Sequence, residues 1–296
     1  VYAFIIAVAC AVLSVIVLLA DKPLRALIEK FTQITDFGIS SILTIFTGLI
    51  FWYTKRRFEK HPDTPFSNGS FLLFGAILSL AMISYWAKTL QVFQHNYAGI
   101  FLLSAIIYAG LAVYFNSQTI WVLGILMLAL AFGTFTGSSE EQFLGLNFPM
   151  RFIPFSLLIL SFLMILKKNE RLKSFYRIHY ITGLLLFYVA LWLVTIFGNY
   201  SSYERWQELK QLQFLLWDGV LFAVAATGMY FGLKLNDFIL GNSSLVFFIL
   251  NLVTRYFEYF WHPLHKSIFF MILAFIFWFI GSRAEKLWNL KFLEEK

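Results

Sequence analysis

Two opposite charges lie one helical turn apart inside a long aromatic stretch of the sequence. Arg255 and Glu258 occur in the run NLVTRYFEYFWHPLHKS, residues 251–267. Residues at this spacing share one face of a helix, so the guanidinium and the carboxylate can neutralise each other there. Ionisable groups in apolar spans are costly and usually face protein or water, which makes this pair the first candidate for chemistry.

Polar neighbours extend this pair into a stripe. Asn251 and Thr254 precede Arg255 and Glu258 on adjacent helical turns. One interpretation is a polar lining for a substrate or proton pathway, in which Arg255 binds an anion or controls the protonation of Glu258. The other interpretation is structural: the two charges staple their helix to its neighbours, or reach the membrane surface at the end of the span.

A further acid falls in the preceding apolar segment. Asp218, in the run LWDGV, lies about two turns into that segment. It could pair with Arg255, because both would lie in the outer half of the bilayer and adjacent antiparallel spans often pack together. A triad of Asp218, Arg255 and Glu258 is then the sharpest hypothesis. If the segment begins later, Asp218 is instead an acid at a helix N-terminus, where the helix dipole favours it.

The histidines and the cysteine give little indication of a cofactor site. His95, His262 and His265 fall in loops or at span ends, whereas haem ligands normally lie inside a helical bundle. His179 falls at the cytoplasmic start of the seventh span, too far from the other three histidines to share one site with them. The single cysteine, Cys10, excludes an intrachain disulfide and argues against a cysteine-based metal site. We therefore expect no cofactor and no metal.

The elements that carry these residues are membrane helices. Of the 296 residues, 60% are hydrophobic and 13% are charged, and the mean hydropathy is +0.75. A water-soluble domain cannot easily carry this composition. The net charge of +7 resides in short basic clusters beside apolar runs, which indicates membrane topology rather than nucleic-acid binding. The expected partner is the lipid bilayer, and no nucleic acid is expected.

Segment lengths give the number of helices. A bilayer core of about 30 Å requires roughly 20 apolar residues per helix, and on that measure the sequence predicts about ten spans. Backbone polar groups in hydrocarbon must pair within their own segment, so we expect an all-α, polytopic transmembrane helix bundle. It forms a single integral membrane domain over residues 1–296, with no soluble domain. The predicted spans lie at about 1–20, 34–54, 71–90, 97–115, 119–137, 152–166, 178–198, 212–233, 244–261 and 267–282.

The basic residues indicate the orientation of the chain. They concentrate at Lys55–Lys60, at Lys167–Arg177, at Lys234 and at the C-terminus. Because successive spans alternate in direction, all four regions lie on the same side of the membrane. The positive-inside rule predicts that this side is cytoplasmic, so both ends of the chain face the cytoplasm of a bacterial inner membrane. The sequence begins directly with an apolar span and has no leading Met, so we expect the natural N-terminus to lie further upstream.

Several stretches resemble a bacterial family of multi-pass membrane proteins. They are residues 75–103, 114–117, 251–257 and 266–286, and the last of them ends a span in a small residue followed by charges. The family is domain of unknown function two thousand one hundred fifty-seven. The resemblance covers most of the chain loosely and is most specific in the C-terminal segment. It implies a multi-span architecture, and it brings no known activity and no catalytic residues.

Three functions remain open at this stage. The first is a small-solute or ion transporter whose pathway is lined by Asp218 and the polar stripe of the ninth span. The second is a non-catalytic membrane subunit or scaffold that assembles with inner-membrane proteins or with copies of itself. The third is an intramembrane or lipid-modifying enzyme using Glu258 or His262 as acid or base, which no recognisable spacing supports. Water access separates the first two, because a pathway connects to solvent and a staple is sealed.

Overall fold

The computed structural model describes residues 36–61, 64–92, 97–137, 146–199, 214–261 and 263–288. Throughout these ranges the regular elements are helices, and seven of them are long and apolar enough to cross a membrane. The predicted all-α, multi-pass class is confirmed to that extent. The helices are α1 (Asp36–Lys60), α2 (Pro65–Thr89), α3 (Ala98–Phe115), α4 (Gln118–Gly137), α5 (Phe152–Ser161), α6 (Leu163–Lys168), α7 (Tyr176–Phe197), α8 (Leu215–Lys234), α9 (Phe238–Phe260) and α10 (Lys266–Trp288).

The predicted count of about ten spans is not confirmed. The first predicted span, residues 1–20, lies outside the described residues. The sixth is divided into α5 and α6 at Phe162, whose N–H bonds to the carbonyls of both Leu158 and Ile159 at 3.3 and 3.1 Å. The tenth corresponds to α10, whose apolar part Lys266–Phe279 is shorter than a full span.

The chain divides into two compact units, residues 1–131 and 132–296, and the boundary falls inside α4. In the first unit α1 and α2 form an antiparallel hairpin, closed near its ends by a 2.9 Å contact between the hydroxyls of Ser40 and Thr89. The buried hydroxyl of Tyr108 on α3 donates to a backbone carbonyl of α2. Hydrogen bonds between helices therefore supplement apolar packing in this unit.

The second unit has its core among α7, α8 and α9. The ring of Tyr188 on α7 stacks on that of Phe247 on α9, with 5.2 Å between centroids. On the far side of α7, His179 Nε2 lies 2.8 Å from the carbonyl oxygen of Ile159, which ties α5 to α7. The buried side chains of the core are Leu184, Tyr188 and Leu191 of α7, Leu221 and Ala225 of α8, and Phe247 of α9.

A tight turn at residues 235–237 makes α8 and α9 antiparallel neighbours. Asn236 adopts a left-handed φ of 53°, a conformation that asparagine tolerates better than most residues. The Asp237 side chain then caps α9 by accepting hydrogen bonds from the backbone N–H groups of Ile239 and Leu240. The turn therefore ends one helix and starts the next with its polar groups satisfied.

Glycines allow α8 and α9 to approach closely beside this turn. A Cβ added to Gly232 would lie 2.6 Å from backbone atoms of Gly241 on the facing helix. One turn earlier, a Cβ on Gly228 would lie 2.2 Å from the hydroxyl oxygen of Ser244 and 2.6 Å from that of Tyr188. The Gly228 and Gly232 spacing is the small-residue pattern found where membrane helices pack backbone to backbone.

Replacing Gly232 with alanine should destabilise the protein. The added methyl group meets backbone rather than a flexible side chain, so α8 and α9 must separate, at an expected loss of about 1–3 kcal/mol in the free energy of unfolding. Denaturant unfolding of the purified protein in detergent measures this. Gly219→Ala on the same helix is the matched control, because its Cβ meets nothing within 4 Å. Equal unfolding free energies for the two variants would contradict the close contact.

Candidate functional site

A buried ion cluster joins α7, α8 and α9. Arg255 is 8% exposed and Asp218 is 3% exposed. Arg255 Nε lies 3.1 Å from Asp218 Oδ1, and its Nη1 contacts Glu258 Oε2. Arg255 Nη2 donates to the carbonyl and the hydroxyl oxygens of Thr195 at 3.1 and 3.3 Å. We call this group the Arg255 cluster; it consists of Asp218, Thr195, Arg255 and Glu258. Each nitrogen of the guanidinium therefore has an oxygen neighbour within the cluster.

The helices determine where the cluster lies. Asp218 is in the first turn of α8, Thr195 is in the last turn of α7, and Arg255 precedes the end of α9 by about one and a half turns. Because α8 and α9 are antiparallel, the start of one meets the end of the other. Helix dipoles favour an acid at the first position and a cation at the second. The cluster therefore occupies one end of the three helices.

This placement combines the two interpretations of Asp218. The expected contact with Arg255 is present, and Asp218 is also an acid at a helix N-terminus. It lies closer to the helix end than the two turns expected from the sequence, because α8 as described begins at Leu215 rather than near residue 212.

Exposure increases across the cluster toward Glu258. The side chain of Glu258 is 24% exposed, compared with 9% for Arg255 and 5% for Asp218. Arg255 and Glu258 share one face of α9, as their spacing predicts, and Glu258 is the member nearer the helix end. Glu258 is therefore the least buried charged member of the cluster.

Asp218 lacks the hydrogen bonds that a buried carboxylate normally accepts. Its 3.1 Å contact with Arg255 is an ion pair without the alignment of a hydrogen bond, and neither carboxylate oxygen accepts one from the described residues. Asn251 is fully buried, and its amide nitrogen likewise has no hydrogen-bond partner in the described part of the chain. Arg255 Nε and Nη1 also lack an aligned hydrogen bond, so this part of the interface is held by charge rather than by hydrogen-bond geometry.

The cluster ends a row of polar contacts between α7 and α9, here called the α7–α9 seam. The two helices run parallel, since Tyr180 and Asp237 meet near the starts of both, and Thr195 and Arg255 meet near their ends. Each contact pairs a long or hydroxylated side chain of α7 with a polar side chain of α9 or its cap. The contacts are Tyr180 with Asp237 at 2.7 Å, Tyr188 with Ser244 at 2.6 Å, Trp192 with Thr254 at 3.0 Å, and Thr195 with Asn251 at 3.5 Å.

The predicted polar stripe of α9 therefore faces α7. Asn251 and Thr254 both contact α7, together with Arg255. Their partners Thr195 and Trp192 were not among the predicted site residues, because a threonine and a tryptophan in an apolar helix carry no distinctive signal. The structure brings the five predicted residues into one region of the second unit.

A spacing in the sequence could have revealed the full length of the seam. Asp237, Ser244, Asn251 and Glu258 recur with a heptad period from the cap of α9 to its last turn. A heptad repeat keeps side chains on one face when two helices pack at a shallow left-handed angle. The prediction considered only residues 251–258 of this helix, and so missed Asp237 and Ser244.

Apolar side chains close the seam between its polar contacts. Successive heptad positions are about 10 Å apart along a helix. Leu184, Leu191 and Phe247 are buried in the intervals around the Tyr188 and Ser244 pair. In the residues that the structure describes, polar groups therefore do not run continuously from the Arg255 cluster to Asp237.

The histidines do not form a common site where the structure describes them. His179 is 3% exposed and bonds the carbonyl of α5 described above, and the ring of His265 accepts from a backbone N–H at the start of α10. His95, His262 and Cys10 lie outside the described residues. Among those that are described, no group of three or more His, Cys, Asp or Glu side chains is placed to hold a metal ion.

A second buried arginine has a structural explanation. Arg151 is 6% exposed, and its Nη1 donates to the carbonyl of Thr136 in the last turn of α4. This contact satisfies a terminal carbonyl and opposes the negative end of the helix dipole. Burial lowers the pKa of the Arg151 guanidinium from its ordinary value, although arginine remains protonated in proteins. Arg151 therefore caps α4.

Similarity to known proteins assigns no role to the cluster. No family model matches this chain, and no curated protein or solved structure matches it significantly.

Removing the charge of Arg255 should destabilise the protein strongly. Arg255→Met leaves Asp218 buried without its cation, and the loss of one partner from a buried ion pair typically lowers the free energy of unfolding by about 3–5 kcal/mol. Lys88→Met is the matched control. Lys88 also pairs across an antiparallel hairpin, with Asp36 at 2.8 Å, but the two side chains are 48% and 43% exposed. Its loss should lower the free energy of unfolding by at most about 1 kcal/mol.

Unfolding of both variants and the parent protein in the same detergent provides the comparison. If Arg255→Met unfolds at the same denaturant concentration as Lys88→Met, the buried cluster does not hold the three helices together.

Proposed function

We propose that this chain transports a small solute or ion across a membrane, with Asp218, Arg255 and Glu258 as its polar site. The main support is that two carboxylates share one guanidinium where three apolar helices meet. Charged groups inside spans carry a large energetic penalty and typically mark ion or substrate pathways. Asn251 and Thr254 add a polar lining on the same side of α9.

The proposal assigns a membrane and an orientation to the chain. The basic residues beside α1, α6 and α8 favour a bacterial inner membrane with both ends of the chain in the cytoplasm. In that orientation the Arg255 cluster lies toward the outer face. The resemblance to the bacterial family of unknown function supports the multi-span architecture and adds no substrate.

Arg255 serves this site by holding the two acids rather than by binding an anion. Its three nitrogens already contact oxygens of Asp218, Glu258 and Thr195. The apolar layers of the α7–α9 seam close the route beyond the cluster. Transport therefore requires a second conformation in which this seam opens, as in any alternating-access cycle.

A non-catalytic membrane subunit or scaffold is the second candidate. The observation that favours it is the same set of contacts, because a guanidinium that contacts Asp218 on α8 and Thr195 on α7, besides Glu258 on its own helix, is also an effective staple. In that case the charges stabilise the fold, and the apolar helix faces contact other membrane proteins or copies of this chain.

Glu258→Gln distinguishes the two candidates, because glutamine keeps the shape of the side chain and removes its charge. A transport site should lose flux severalfold with little change in thermal stability, since Glu258 is the most exposed acid of the cluster. A staple should lose stability instead. Proteoliposomes containing the purified protein, tested with labelled cations, anions and small neutral solutes, measure flux, and thermal unfolding in detergent measures stability.

Glu59→Gln is the control for this experiment, because Glu59 is an exposed acid near the end of α1. It should match the parent protein in both readouts. If the parent protein moves none of the tested solutes faster than protein-free vesicles do, the transport proposal fails and the scaffold remains.

A further inference from the structure

Basic side chains collect at the end of the second unit that is opposite the Arg255 cluster. The turn from α6 to α7 and the turn from α8 to α9 both lie at this end. The hydrogen bond from the Tyr180 hydroxyl to Asp237, at 2.7 Å, joins the start of α7 to the second of these turns. The basic side chains, here called the basic surface, are all exposed, and they are Lys167, Lys168, Arg171, Lys173, Arg177 and Lys234.

Few acids balance this charge. The segments that form the basic surface, residues 163–177 and 234–238, contain Glu170 and Asp237 as their acids, which leaves a net charge of +4. Among the described residues, one ion pair involves this end, that of Glu170 with Lys173 at 3.4 Å. Asp237 is engaged by Tyr180 and by the first N–H groups of α9. The other five cations of the surface therefore have no carboxylate partner in the described part of the chain.

The C-terminal segment does not supply the missing negative charge. The charged side chains of residues 283–296 lie outside the described residues. In the sequence this segment carries four basic and three acidic residues, so it adds no net negative charge.

Helix dipoles explain only part of the basic surface. Lys167 and Lys168 lie in the last turn of α6, and Lys234 lies in the last turn of α8, where a cation is favoured. Arg177 lies in the first turn of α7, where a cation is disfavoured, and that turn contains no acid. Arg177 therefore adds to the positive potential at this end of the unit, and the fold gains nothing from its charge.

Exposed apolar side chains border the basic surface. Met164 and Ile165 are exposed within one helical turn of Lys167. Leu235 and Phe238, on either side of the turn that follows Lys234, are 67% and 76% exposed. A partner that covers both parts of this surface carries an anionic group next to hydrocarbon, as an anionic phospholipid does. A soluble anion would contact the cations and leave the apolar side chains uncovered.

The cations of the first unit differ, because contacts within the protein hold them. The Arg56 guanidinium lies 4.2 Å from the ring centroid of Trp52. Arg57 donates hydrogen bonds to three neutral side chains, those of Tyr53, Ser67 and Asn68. In the basic surface, the one such contact that the described residues show is that of Lys234, 5.8 Å from the ring centroid of Tyr230. Its side chains are therefore freer to reorient toward a headgroup.

We propose that the basic surface binds anionic phospholipid. The headgroup phosphate contacts the cations, and the acyl chains cover the exposed apolar side chains beside them. This surface lies at the end of α7, α8 and α9 that is remote from the Arg255 cluster. The proposal therefore goes beyond the proposed function and holds whether the chain is a transporter or a scaffold.

Binding of fluorescently labelled phosphatidylglycerol to the full chain, purified in a nonionic detergent, measures this interaction. Phosphatidylcholine with the same label and acyl chains is the comparison, because it presents the same hydrocarbon without net negative charge. The parent protein should bind phosphatidylglycerol about fivefold more tightly or better, and the preference should decrease as salt is added. Equal affinity for the two lipids overturns the proposal.

Single charge changes locate the binding. Arg177→Gln should lower the affinity for phosphatidylglycerol about fivefold, and Glu170→Gln should raise it, because one removes a cation and the other an acid from the same surface. Both side chains are exposed, so both variants should fold. Lys88→Gln is the matched control, because it also removes one positive charge, but from a residue already paired with Asp36. Equal affinities of Arg177→Gln and Lys88→Gln would show that binding does not depend on this surface.

A competition experiment separates a lipid from a soluble phosphate. Sodium glycerophosphate carries the phosphate of the headgroup without acyl chains. Unlabelled phosphatidylglycerol should displace the labelled lipid, and glycerophosphate at the same concentration should not. Equal displacement by the two compounds would mean that the surface recognises phosphate alone, and the assignment to a phospholipid would be wrong.

Discussion

The contacts of one guanidinium constrain the second unit more than any other interaction. A buried charge is destabilising unless it is paired, so Arg255 on α9 requires oxygens from both α7 and α8 at matching heights. This requirement sets the register of three helices that apolar packing alone would allow to slide. The glycine contact between α8 and α9 sets the spacing at the other end of the same pair.

The first unit uses the same arrangement with a different energetic result. Asp36 lies in the first turn of α1 and Lys88 in the last turn of α2, and the two meet across an antiparallel hairpin as Asp218 and Arg255 do. Helix dipoles favour both placements. The exposed pair is solvated and contributes little, whereas the buried pair removes charges from water and therefore determines local geometry.

The sequence predicted the helices and the central contact for identifiable reasons. Charges are so scarce in these apolar segments that Asp218 and Arg255, on consecutive antiparallel spans, had few other partners. The roles of Thr195 and Tyr188 could not be predicted, because a hydroxyl in an apolar helix shows which neighbour it bonds only after the helices are packed. The break at Phe162 was missed for a similar reason: the residues on both sides are as apolar as those of an unbroken span.

The close contact of Gly232 with Gly241 near the turn is a point about which α8 could tilt relative to α9. Gly232 and Asp218 are separated along α8 by about 21 Å at the rise of an α-helix. A tilt of only about 3° about the glycine contact would displace the far end of this arm by about 1 Å. Such a tilt changes the 3.1 Å separation of Asp218 and Arg255 while the backbones near the turn stay in place. An angular change of a few degrees at the glycine contact would therefore be enough to make or break this ion pair.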